Sequence, residues 1–312
     1  MNSVDKQYLD LLKDIIENGE KRETRAGQTR SLFTRTMRFN LKDGFPLLTT
    51  KKVFYKGIIH ELLWFLRGET NIKSLTDAGV GIWTDDAFRW FKSLSFPTYT
   101  PLYLDGIRVD VEVLREMTKA QFVAHIGQDL YTMDGSFHYR FGDLGKIYGY
   151  QWKRGDQVER IVKTIKENPT DRRLILSAWN PKDLPEMALP PCHTFCQFYV
   201  SGNGTLSCSF YMRSNDICCG LPYNIAQYAL LTHMIAAMTG LEVGELIYTG
   251  GDVHMYENHL EGALEQLSRE GYDLPTLRLA RIPDKIEDFK PEDIIIENYE
   301  ACPPIKYKLN VG

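Results

Sequence analysis

The stretch from Leu189 to Tyr228 constrains this chain more than any other. After Pro191-Cys192-His193, two runs alternate apolar and polar residues, Thr194 to Val200 and Thr205 to Met212. Between them lie Ser201-Gly202-Asn203-Gly204, small and polar, which is the chemistry of a tight turn. That pattern predicts a β-hairpin. Arg213-Ser214-Asn215-Asp216 close the second run, and Gly220-Leu221-Pro222 turn the chain into an apolar helix opened by Asn224. A thiol, a guanidinium, a carboxylate and an amide thus fall at element ends, where a rigid scaffold can present them.

The rest of the chain can supply that scaffold. Its 312 residues suffice for one large domain or two modest ones. A net charge of −4 offers no electrostatic case for a nucleic-acid polymer or a membrane surface. No apolar run reaches spanning length, and the N-terminus is polar with no signal-like core. The cysteines at 192, 196, 208, 218, 219 and 302 have no disulfide rhythm and no Cys-x-x-Cys pair. They read as the reduced thiols of a cytoplasmic protein, several of them in the core.

Taken in order, residues 4–18 have helical spacing, with Tyr8, Leu11, Leu12 and Ile15 on one face. Gly19 to Arg30 reads as a polar loop holding Arg22, Arg25, Gly27 and Arg30, either a solvated turn or a phosphate clamp. A strand is expected over Ser31 to Phe39. From Gly57 to Leu66 the chain is apolar nearly all round, which predicts a buried helix containing Glu61. That carboxylate is either paired to a local cation or pushed up in pKa by burial. Thr70 to Trp83 reads as a second helix. Residues 91–141 have weak periodicity and read as an inserted, mostly surface subdomain. A helix follows around Val158 to Ile165, then Arg172-Arg173 before a strand from Leu174 to Trp179. After the helix from Ile225 to Thr239 come a strand near Leu246 to Thr249, Gly251-Asp252-Val253-His254-Met255-Tyr256, and a helix from Glu257 to Glu270. No repeat or linker divides the chain.

Leu189-Pro190-Pro191-Cys192-His193, Gln197-Phe198-Tyr199-Val200, Arg213-Ser214 with Asp216, and Pro222-Tyr223-Asn224-Ile225 together resemble the thymidylate synthase family. The resemblance runs from about Arg25 to Val311, apart from the insertion. It implies an α/β fold of the α+β kind, in which helices flank a large mixed β-sheet that forms a dimer interface. It also implies a single catalytic domain over 1–312.

The implied reaction is the reductive methylation of dUMP, with 5,10-methylenetetrahydrofolate as cosubstrate and no metal. C5 of a pyrimidine is a poor nucleophile, and attack by a thiolate at C6 makes it a good one. Cys192 is the nucleophile by this reading, with the Arg213 cation lowering its pKa. A Cys192–His193 dyad is disfavoured because strand neighbours point to opposite faces, and the same alternation argues against a zinc site of Cys192, His193, Cys196 and Cys208. Asn224 can donate to O4 and accept from N3–H of uracil, whereas relatives acting on cytosine nucleotides carry an aspartate there. By the same resemblance, Glu61 organises water and shuttles protons, and Tyr148 lies near the departing C5 proton. The phosphate falls to Arg25, Arg213 and Ser214, completed across the dimer by Arg172 and Arg173. His254 and Tyr256 hold the sugar hydroxyl. Asp216 binds the folate ring, with Ile82, Trp83, Leu189 and Gly220 around it.

Four departures from the family pattern stand out. Met212 replaces the usual Gln, Tyr223 the usual Phe, Asn215, Cys218 and Cys219 occupy variable positions, and Gly312 extends one residue past the usual end. Met-Arg-Ser-Asn-Asp also occurs in phage deoxyuridylate hydroxymethylases of this family, which capture the last intermediate with water instead of hydride. That activity is the alternative. Retention of Trp83 and Leu189, which exclude water, favours the synthase. The joint presence of Glu61, Cys192, Arg213, Asp216, Asn224 and His254 argues against a silent nucleotide-binding dimer.

Overall fold

The N-terminal helix shows how local chemistry starts the fold. In the computed structural model, which describes residues 1–310, α1 (Ser3–Asn18) is capped by Asn2, whose side chain accepts from the Val4 and Asp5 amides. The cap satisfies two donors that a helix N-terminus leaves without partners. Tyr8, Leu11, Leu12 and Ile15 are buried, as their spacing predicts. Val311 and Gly312, and with them the expectation for the chain's last residue, lie outside the described residues.

Gly19 to Arg30 is not a loop. β1 (Glu20–Thr24) pairs antiparallel with the start of β2 (Gly27–Asn40) around a turn at Arg25-Ala26. All five residues of β1 are exposed, so no apolar alternation announces it. α2 (Tyr55–Leu66) is buried from Gly57 to Leu66 except at His60. The expected helix from Thr70 to Trp83 shrinks to α3 (Lys73–Asp77), because Gly79 adopts a positive φ of 73° that ends it. α4 (Thr84–Ser93) then begins immediately after Trp83.

Residues 91–141 hold a small sheet whose aromatic side chains join the main core. β3 (Leu102–Leu104), β4 (Ile107–Val109), β5 (Asp129–Thr132) and β6 (His138–Arg140) form an antiparallel sheet in the order β4-β3-β5-β6. α5 (Val111–Glu116) and α6 (Lys119–Ala124) lie between β4 and β5. Phe91, Phe122 and Phe141 are fully buried, with ring centroids 5.0 to 5.7 Å apart. Strands of three or four residues are too short to show a period, which explains the weak signal there.

α7 (Tyr148–Lys153), α8 (Gln157–Glu167) and β7 (Ile175–Ser177) lead to the hairpin, β8 (His193–Val200) and β9 (Thr205–Asp216). β9 runs four residues beyond the expected end, through Arg213 to Asp216. α9 (Gly220–Thr239) starts five residues earlier than expected, so Asn224 lies inside it and does not open it. Pro222 sits in the first turn, where its missing N–H breaks no hydrogen bond. β10 (Glu242–Tyr256), α10 (Leu260–Leu267), β11 (Thr276–Leu279) and β12 (Ile294–Glu297) complete the chain.

The large sheet has the order β1-β2-β10-β9-β8-β7. β9 and β10 are parallel and joined by α9, and the other pairs are antiparallel, so the sheet is mixed. α9 packs against β9 and β10, with Tyr228 stacked on Phe210 at 4.3 Å and 13°. Residues Ile175, Phe195 and Tyr199 of the sheet are exposed, the last at 66%. No helix among the described residues is long and apolar enough to cross a membrane.

Candidate active site

Parallel pairing of β9 and β10 brings the two strands' carboxyl ends together. Their register sets Ser214 beside Asp252 and Asp216 beside His254. The first turns of α9 add Gly220 and Asn224, and loops add the rest around a cleft of about 470 Å³. That is the size of a small-molecule site. Arg25, Glu61, Ile82, Trp83, Tyr148, Leu189, Cys192, Arg213, Ser214, Asp216, Gly220, Asn224, His254 and Tyr256 all line it. Arg172 and Arg173 do not. The Arg172 carbonyl accepts from Gln197, and Arg173 lies beside Asp171 with 89% of its side chain exposed.

Cys192 stands just before β8. Its amide donates to the Tyr148 hydroxyl at 2.6 Å, and its carbonyl accepts from the Arg213 amide at 2.9 Å. The Arg213 guanidinium is fixed by bonds of 2.8 Å to the Pro190 and Pro191 carbonyls, which leaves Nη2 4.0 Å from the Cys192 sulfur. Burial pushes the thiol pKa up, Arg213 opposes that, and the Asp86 carboxylate adds to it. Burial therefore outweighs the cation, contrary to the simple expectation of a lowered pKa. His193 turns into the core, stacked on Tyr148 at 4.1 Å with Nδ1 2.8 Å from the Tyr228 hydroxyl. Burial drives its pKa down to about 3, so it stays neutral. It forms no dyad with the thiol.

Glu61 sits in buried α2 with 9% of its surface exposed. Oε1 accepts from Trp83 Nε1 at 2.7 Å and Oε2 from Gln227 Nε2 at 3.0 Å. No Arg or Lys pairs with it among the described residues, and burial raises its pKa to about 7 against those two bonds. A carboxyl group poised near neutrality can both give and take a proton. The bond to Glu61 also fixes Trp83, whose ring lies 6.0 Å from both Trp64 and Tyr148.

At the polar end, Arg22 pairs with Asp252 at 2.8 Å. Asp252 also accepts from Ser31 and lies 3.3 Å from His254 Nδ1, and these partners, His254 first, hold its pKa at about 2. Arg22 is thereby engaged outside the cleft lining, and Arg25 is the arginine of that hairpin which faces the cleft.

Several lining residues went unnoticed in the sequence. Asp86 and Arg89 of α4 form an ion pair at 2.5 Å, and burial raises the Asp86 pKa. Behind the lining, Gln227, which donates to Glu61, follows Asn224 by three residues on α9, a spacing that puts both on one face. Leu309 and Asn310 bring the C-terminal segment to the cleft. Two of the departures touch each other, as Asn215 Nδ2 donates to the Met212 sulfur at 2.7 Å.

Over residues 6–311 the chain matches the family model for thymidylate synthase. It is 46% identical over 319 residues to the thymidylate synthase of Listeria monocytogenes serotype 4b, covering 98% of this chain and 100% of that protein. It is 45% identical to that of Listeria innocua over 316 residues, with the same coverage. The human thymidylate synthase is 44% identical over 323 residues, covering 98% of this chain and 90% of the human one.

Proposed function

Because this chain belongs to the thymidylate synthase family, we propose that its cleft converts dUMP to dTMP by reductive methylation. The observation that carries this is a half-buried thiol held beside a fixed guanidinium, in one cleft with a near-neutral carboxyl group and an amide. 5,10-Methylenetetrahydrofolate supplies first the one-carbon unit and then the hydride. No metal is required.

Cys192 attacks C6 of the uracil ring as a thiolate, which makes C5 nucleophilic toward the one-carbon unit. Arg213 favours the thiolate and also meets the nucleotide phosphate, together with Arg25 and Ser214. Asn224 donates to O4 and accepts from N3–H, so it selects uracil. Glu61, through ordered water, protonates and deprotonates around the ring, and Tyr148 adjoins the leaving C5 proton. Loss of that proton and release of the amine leave an exocyclic methylene. Hydride transfer to it expels the Cys192 sulfur. Trp83, locked by Glu61, keeps water from that methylene. His254 and Tyr256 bind the sugar 3′-hydroxyl, and Asp216 accepts from the pterin N–H groups. Ile82, Leu189 and Gly220 wall the pterin.

The enzyme works as a homodimer in this reading. Neither Arg172 nor Arg173 lines its own cleft, and Ile175, Phe195 and Tyr199 offer a nearby exposed apolar face. A second copy on that face gives those arginines a partner's phosphate to bind. The charge balance and reduced thiols suit a cytoplasmic enzyme, and residues 91–141 are an insertion into a single catalytic domain. Purified protein with dUMP and methylenetetrahydrofolate should form dihydrofolate in step with a methylated nucleotide. A hydroxymethylated product with tetrahydrofolate left unoxidised would overturn the hydride step, and absence of turnover would overturn the whole assignment.

A further inference from the structure

One corner of the cleft holds a cluster that this chemistry does not use as a unit. Asp216 ends β9, Cys219 precedes α9 and His259 precedes α10, and a donor atom of each lies within 4.8 Å of the other two. The His259 side chain is fully buried. Its Nε2 is 2.8 Å from the Lys308 carbonyl, an acceptor, so Nε2 carries the proton. In the neutral ring Nδ1 is then a bare lone pair. It is buried without a hydrogen-bond partner among the described residues and stands 3.9 Å from Asp216 Oδ1.

An acceptor and a carboxylate facing each other across that gap call for a cation between them. We propose that Asp216, Cys219 and His259 form a site for a soft divalent cation of the zinc class, and that filling it inhibits the enzyme by taking the folate carboxylate. Nitrogen, sulfur and oxygen donors are the set zinc prefers, with a fourth position left to water. Tetrahedral bonds of roughly 2.0–2.3 Å set donors about 3.3–3.6 Å apart, so the three must close up by as much as about 1.3 Å from separations of up to 4.8 Å. On binding, the Cys219 thiol releases its proton to solvent and its sulfur bonds the metal. Two anionic ligands then neutralise the cation. That neutrality matters, because the Lys51 ammonium lies 2.5 Å from the Cys218 carbonyl and would oppose a net positive site. Asp216 Oδ1 already accepts from the Cys218 and Cys219 amides at 2.9 and 3.2 Å, which orients the carboxylate and makes Oδ2 the oxygen with a lone pair to spare for the metal.

The inhibitory part rests on the folate role proposed above for Asp216, and the metal site itself does not. The test uses chelator-stripped full-length protein carrying Cys192→Ala, so that the catalytic thiol contributes no signal. Titration with Co²⁺ should give a thiolate-to-cobalt charge-transfer band that Zn²⁺ removes. Adding Cys219→Ala should abolish the band, and Cys219→Ser, which keeps the size, should abolish it too. No band, or a band that survives both substitutions, overturns the site. With Cys192 intact and dUMP saturating, Zn²⁺ should raise the KM for methylenetetrahydrofolate with kcat unchanged, reversibly with a chelator. Cys219→Ala should weaken that inhibition at least about tenfold. A cobalt band without competition against folate overturns the inhibition and leaves the site standing.

Discussion

Replacing Glu61 by Gln should make the protein more stable than its parent at alkaline pH and progressively less so toward acid. In the folded chain the Glu61 pKa is raised from 4.5 to about 7, chiefly by burial. A carboxyl whose folded pKa is raised favours folding fully below its unfolded pKa, and that advantage is lost as pH climbs through the folded value. The shift converts to about 3 kcal/mol between the acid and alkaline limits, at about 1.4 kcal/mol per pH unit. Glutamine imitates the protonated form at every pH, so it escapes the loss. Its amide also fits, because Gln227 Oε1 is buried without a partner and can accept from it once the Gln227 amide turns over. Urea unfolding of both proteins at one fixed concentration, from about pH 5 to about pH 8, reads the difference. Any change in the hydrogen bonds themselves is a constant offset. The stability difference, variant minus parent, should grow with pH by about 2–3 kcal/mol over that range. A difference that stays flat would show that Glu61 ionises in the folded state as readily as in the unfolded one, and would refute the buried-acid argument.

The same substitution should lower kcat by about 10²–10⁴-fold and erase the limb of the rate profile near neutrality, since His193 stays neutral over that range. Cys192→Ala should abolish turnover while calorimetry still detects dUMP. Asp86→Asn removes a charge that raises the Cys192 thiol, so alkylation of Cys192 at fixed pH should accelerate several-fold; an unchanged rate would place Asp86 too far away to matter. Arg172→Ala and Cys192→Ala proteins should each be inactive. Mixed at equal ratio and allowed to exchange subunits, they should recover about a quarter of the parental sites, the yield expected when half the dimers carry one intact site of two. No recovery would sink the shared site.

What the sequence disclosed about the site was its chemistry, and what it concealed was the setting that decides it. Cys192, Arg213, Asp216 and Asn224 lie in one short motif and reach one cleft together. The hairpin and its turn followed from alternation alone. Burial was less legible. The Cys192 thiol is pushed up and not down, because enclosure by distant segments outweighs one adjacent cation. Asp86 is invisible for the same reason, since a carboxylate on a polar-looking helix reads as solvated until the cleft closes over it. β1 hid because both its faces meet water. Cys219 and His259 are forty residues apart, and only the parallel join of β9 to β10 brings their turns together.

A second pairing of β10, antiparallel with β2, governs how the chain can be made. β2 finishes at Asn40, and its partner β10 begins only at Glu242, yet the two pair along most of their length. At about 5–20 residues per second, a ribosome leaves β2 waiting roughly 10–40 s for the strand that covers its inner edge. Through that interval a fourteen-residue strand with a free backbone edge is displayed on the nascent chain. The sheet that later holds the thiol in place is thus, while it is being synthesised, the part of the protein most in need of a chaperone.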